Sequence, residues 1–183
     1  KDWQQDTVPY ALQILAGVLS GNDSARLQKS LVKTRQIAIN ASAGYDAVAR
    51  GPGMFMIDAT PAEGQSVAAL EKAIREEIVR IQRDGIDADE LARVKAQVIA
   101  GEVYQRDSLF YQAMQLGDYV TAGQPPEALA GRVDKLRAVT AEQVRAAARE
   151  WLRDDRLSLA ELDPQPLDAQ PRRAAVPGVR HVN

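Results

Sequence analysis

The chain has 183 residues, of which 45% are hydrophobic and 26% charged, with a net charge of −2, no cysteine and one histidine. Without cysteine there is no disulfide, thiolate metal site or thiol nucleophile. A lone histidine, His181, leaves no histidine-based metal site or triad within the chain. No apolar run approaches the roughly 18 residues of a membrane helix, and there is no basic surplus of the kind nucleic-acid binders carry, so neither partner is expected.

The chain begins at Lys1 with no apolar segment of signal-peptide type, the pattern expected of an excised or processed piece. One domain is expected over 1–163, with a Pro-rich, disordered tail over 164–183 that holds four of the nine prolines.

Taken in order, Val8, Leu12, Leu15 and Val18 recur at helical spacing, predicting a helix over 7–19 that Gly21 and Asn22 end. A short helix follows to Lys33, with Ser24 as its cap and Leu27 and Leu31 facing inward. The period then becomes two. Ile37, Ile39, Ala41 and Ala43 are read as the inward face of a strand, and 54–60 forms a second strand beyond Gly51-Pro52-Gly53. A ten-residue connection makes the two antiparallel neighbours. Those glycines open onto a strand, so no helix N-terminus is offered to a phosphate.

A long helix is predicted over 66–83, closed by Asp84-Gly85. Its stripe is Val67, Leu70, Ile74, Ile78 and Ile81, with Glu77 among the residues mostly off it. Asp87 and Glu90 have capping-box spacing for the next helix, which a kink at Gly101 divides from a segment over 103–120. The series Tyr104, Phe110, Tyr111 and Tyr119 has core spacing. Pro125-Pro126 opens another helix, and Thr140 with Gln143 forms a second capping box for a helix ending near Trp151. Leu157 and Leu159 suggest a final strand. Segregated strands and helices indicate an α+β fold, a mostly antiparallel sheet with helices on one face in two layers.

Candidate chemistry is sparse. There is no phosphate loop or dinucleotide fingerprint and no nucleophile elbow. Asp87, Asp89 and Glu90 sit in a helix first turn, where negative charge suits the dipole. Asp154-Asp155 reads as a solvated turn, and Glu102 and Asp107 as surface or structural groups without an identified partner.

The order of motifs carries more. Ala11-Leu12-Gln13-Ile14-Leu15 leads to Ser24-Ala25-Arg26-Leu27 and then to the strand Ile37-Ala38-Ile39-Asn40. Pro61-Ala62-Glu63, Ala73-Ile74-Arg75-Glu76-Glu77-Ile78, Gly85-Ile86 and Glu90-Leu91-Ala92-Arg93-Val94-Lys95 follow. This series resembles the C-terminal, non-catalytic domains of the pitrilysin/insulinase family of inverted-zincin metallopeptidases, relatives of mitochondrial processing peptidase, over about residues 7–162. The resemblance implies two halves closing around an unfolded peptide substrate. Zinc is held by an H-x-x-E-H helix in the N-terminal half. This chain has no H-x-x-E-H, so it is expected to bind no cofactor itself and to pair with a zinc-bearing domain of the same polypeptide. The family's substrate-holding Arg/Tyr pair falls here on Val32 and Ile39, both apolar, and Arg35 is at the wrong register. No catalytic residue is therefore carried over, and a second homologous subunit bearing the pair is expected. The alternative is a non-enzymatic assembly module of the same fold, like the core subunits of the cytochrome bc1 complex. Export to the periplasm is expected by analogy, with the cytoplasm as the alternative.

Overall fold

A computed structural model describes residues 6–164. The proline-rich tail beyond Pro164, with His181, lies outside the described residues.

Helix α1 (Val8–Ser20) is the centre of the molecule. Pro9 in its first turn is pre-set for helical φ. Apolar residues ring nearly all of the helix: Ile14, Leu15 and Leu19 are fully buried, and Gly17 is buried too. A helix apolar on every side must be enclosed, and α1 is, by strands and helices from later in the chain. The predicted short helix is a π-helix (Gln28–Thr34), in which the Arg35 N–H donates to the Ser30 carbonyl five residues back, at 2.9 Å. Leu27 and Leu31 anchor it in the core as expected. Its entry turn is made by Asn22, whose Oδ1 accepts from the Ser24 N–H at 2.6 Å, so Ser24 is not the cap.

Strands β1 (Ala38–Tyr45) and β2 (Phe55–Pro61) pair antiparallel with Ala41 opposite Ala59 and Ala43 opposite Ile57. A bulge between Ala38 and Asn40 breaks the simple alternation. Ala38 and Ala41 are buried while Ile39, expected inward, is turned out and 65% exposed. Among the described residues the sheet has two strands, not the three expected. Residues 157–164 have no regular structure, and Leu157 and Leu159 are exposed, because this segment joins no ladder.

Helix α2 (Val67–Asp84) begins where Ser66 accepts from the Ala69 N–H and ends at Gly85, whose φ of 75° suits a residue without a Cβ. Glu77 lies on its buried face at 3% exposure, paired with Arg80 at 2.8 Å. Helix α3 (Ala88–Gln105) is capped by Asp87, but only half of the predicted box forms, because the Glu90 carboxylate is taken by Arg26 at 2.6 Å. It runs through Gly101 without a break. The interruption comes at Arg106–Ser108, after which the Ser108 hydroxyl caps α4 (Leu109–Thr121).

The helix expected after Pro125-Pro126 is divided at Gly131 into α5 (Glu127–Ala130) and α6 (Arg132–Ala138). Helix α7 (Ala141–Trp151) has the complete capping box: Gln143 N–H to Thr140 Oγ1 at 3.2 Å, and Thr140 N–H to Gln143 Oε1 at 2.8 Å. Val139 and Val144 staple it from inside. Thr140→Ala is expected to lower stability by about 1 kcal/mol, read as a shifted urea midpoint at unchanged slope. A midpoint equal to wild type would show that the cap contributes nothing here.

Candidate functional site

Among the described residues there is no group of three or more His, Cys, Asp or Glu able to hold a metal ion, so the donor set does not fit zinc.

The positions expected from the sequence are scattered. Val32 is half-buried against the core in the π-helix, and Ile39 lies exposed on the bulge. Arg35 is engaged at the surface with Glu76 at 2.8 Å, and that hydrogen bond holds the Glu76 carboxyl below its ordinary range. Asp87 caps α3. Its neighbours line an open polar cleft with Ser24, Arg26, Lys29, Asp89 and Arg93. Arg26 crosses that cleft to Glu90 and to the Gly85 carbonyl at 3.1 Å. The Glu90 hydrogen bond raises its pKa in spite of burial. Asp155 pairs with Arg153, while Asp154 pairs with Arg75 of α2, so this turn is tied to the body.

Two features were not legible beforehand. The first is a polar network between helices. The Arg132 Nε and Nη2 donate to Glu102 Oε2 and Oε1, both at 2.9 Å. Gln13 of α1 closes the group, donating to Glu102 at 3.2 Å and accepting from Arg132 at 3.0 Å. The Tyr119 hydroxyl accepts from Arg132 at 3.4 Å. The two charged side chains are only 11% and 12% exposed. Burial works against the Arg132 charge, but the Glu102 carboxylate outweighs it and raises the guanidinium pKa. Burial also raises the pKa of the adjacent Tyr10 hydroxyl, with Tyr119 adding to the effect. Glu102 thus has the partner that the sequence did not identify. This network ties α1, α3, α4 and α6 together.

The second feature is the surface of α4. Leu109, Phe110, Met114, Leu116 and Val120 are exposed, Phe110 to 73%, as is Tyr104 at the end of α3. Of the aromatic series expected in the core, Tyr119 alone is buried. The spacing was helical as read, but the helix stands against little of the body.

The comparisons with known proteins agree with this picture. Residues 1–98 match the family model described as the Peptidase M16 inactive domain. No curated protein sequence matches the chain. Among solved structures, a candidate zinc protease from Bordetella pertussis Tohama I superposes with a TM-score of 0.78 at 16% identity. The superposition covers 90% of this chain and 89% of that one. The inactive peptidase domain of a candidate zinc protease from Bordetella parapertussis gives 0.74 at 17% identity, covering 83% and 81%. A protease from Helicobacter pylori gives 0.75 at 18%, covering 83% of this chain. The match spans 36% of the Helicobacter protein, about a third of its length. These likenesses establish the fold. With the family match over more than half of its length, the chain belongs to the Peptidase M16 inactive domain family.

Proposed function

We propose that this chain is the non-catalytic domain of a zinc metalloendopeptidase, closing the substrate chamber opposite a domain that carries the zinc. The observation that carries this reading is the family match to an inactive peptidase domain, on a sequence with no H-x-x-E-H and a donor set unfit for zinc. In such a protein the Lewis acid and the activated water belong to the other half. The contribution of this domain is to bound the chamber and exclude solvent. The exposed α4 surface suits a domain that works against a partner. Export to the periplasm, where unfolded polypeptide would be the substrate, belongs to the same reading.

The purified chain is expected to retain no zinc after dialysis and to cleave no unfolded peptide. A full-length protein carrying an upstream H-x-x-E-H domain is expected to do both. Stoichiometric zinc on the isolated chain, or chelator-sensitive cleavage by it, would overturn the assignment. A full-length protein whose upstream domain also lacks zinc ligands would instead establish the assembly-module reading.

A further inference from the structure

Helix α4 carries no charged side chain from Leu109 to Gly117. Its inner side is set by Tyr119, which is buried, and by Gln115, which donates to Gln105 Oε1 at 2.9 Å. With 3.6 residues per turn, Ala113 and Gly117 lie on the opposite side, one turn apart. Phe110 and Met114 form a ridge along one flank of this pair, and Leu109, Leu116 and Val120 form the other. These five large side chains are between 42% and 83% exposed. The outward side is thus a trough of small residues between two apolar ridges.

Gly117 marks the trough as a place of close approach. Among the described residues a Cβ built there meets nothing within 4 Å, unlike one at Gly17 of α1, whose space Val94 occupies. Its φ is not positive, so the backbone does not require glycine. Glycine inside a helix costs about 1 kcal/mol relative to alanine. The missing side chain makes room for a group that comes from outside.

The pattern is complementary to itself. When two copies of α4 are laid antiparallel about a twofold axis between residues 113 and 114, Phe110 of each falls opposite Gly117 of the other. Met114 falls opposite Ala113. Both contacts set a large side chain on a small one, and the twofold repeats each of them. A parallel pairing would instead set Phe110 on Phe110 and leave Gly117 on Gly117. In the antiparallel pair Arg106, exposed just ahead of the helix, comes within about one turn of Asp118 in the other copy, a match of opposite charges. At roughly 200 Å² for a fully exposed large side chain, each copy offers about 600 Å² of apolar surface, near the ~800 Å² per partner of a standard interface.

We infer that α4 is a self-association site, pairing antiparallel with α4 of a second copy of this chain. This goes beyond the peptidase reading and does not depend on it, since it rests on the face of one helix.

Sedimentation velocity on the 183-residue chain tests it. A dimer is expected at tens of micromolar. Gly117→Leu fills the trough while raising helix propensity, so it should weaken the dimer at least tenfold with no loss of helical circular dichroism. Phe110→Ala should weaken it by a similar factor. The Phe110→Ala/Gly117→Leu double variant exchanges large for small at the same contact, and is expected to associate at least tenfold more tightly than either single variant. The chain has no cysteine, so Ala113→Cys, beside the axis, should give a disulfide-linked dimer on mild oxidation. Ala68→Cys, exposed on α2, should not. A chain that stays monomeric at hundreds of micromolar, its α4 face left for a different protein, would overturn the proposal. So would a dimer indifferent to Gly117→Leu, a double variant no tighter than the single ones, or equal cross-linking of the two cysteine variants.

Discussion

Replacing Arg132 with alanine is expected to destabilise the domain by about 3–5 kcal/mol, the usual cost of removing one partner of a buried ion pair. The reason is the group left behind. Glu102 would remain enclosed by α1, α3 and α6 with Gln13 as its one remaining donor in the network, and a carboxylate taken from water needs more than a single neutral amide. Arg132→Lys should also lose most of the stabilisation, since an ammonium cannot make the parallel Nε and Nη2 bonds to both carboxylate oxygens. Removing both charges is a different matter. An Arg132→Met/Glu102→Met double variant is expected to lie within about 1 kcal/mol of wild type, because it abolishes the desolvation cost along with the attraction. Urea denaturation of wild type, Arg132→Met, Glu102→Met and the double variant closes the cycle. Because Tyr119 is the buried residue of α4 and bonds to Arg132, amide protection across α4 should fall in the single variant. A loss below about 1 kcal/mol for Arg132→Ala would show that the pair is effectively solvated.

The second large effect is expected from Gly17→Val. A Cβ at Gly17 would stand 2.8 Å from Val94 Cγ1 and 3.3 Å from Val98 Cγ2, so α1 and α3 touch here with no room for a side chain. Valine strongly prefers one rotamer in a helix and cannot swing aside. Overpacking of this kind costs about 1–3 kcal/mol, and β-branched bulk at a helix–helix contact belongs at the upper end. Gly17→Ala should be milder, since alanine recovers about 1 kcal/mol of helix propensity. The specific check is compensation: adding Val94→Ala to Gly17→Val should restore about 1–2 kcal/mol relative to the sum of the single changes. Additivity of the two would mean that the helices shift apart without strain.

The helix limits were largely legible because they are local. Ser66, Asp87, Thr140 and Gly85 act within a turn of themselves, through one hydrogen bond or one backbone angle. The family was legible for the same reason, as a series of short motifs in order. What escaped depends on distance. Nothing near Glu102 points to Arg132, thirty residues later, or to Gln13 before it. Glu77 looked like a surface residue until its helix was packed. Ile39 kept its alternation in the sequence and lost it to a bulge. The Leu157–Leu159 segment has the pattern of a strand, but a strand also needs a neighbour, and the pattern carries no information about one. The apolar side chains of α4 were correctly placed on a helix and wrongly placed inside, because periodicity reports which residues share a face and not whether that face is covered.

The enclosure of α1 has a consequence for how the protein is made. This helix is synthesised well before α7, which packs on it and begins about 120 residues later. At roughly 5–20 residues per second, a ribosome needs on the order of ten seconds to cover that interval. Throughout it, a thirteen-residue apolar helix lacks one of its walls. Until α7 emerges, the apolar face of α1 that it covers stays open to solvent, the condition in which a nascent chain is prone to aggregate.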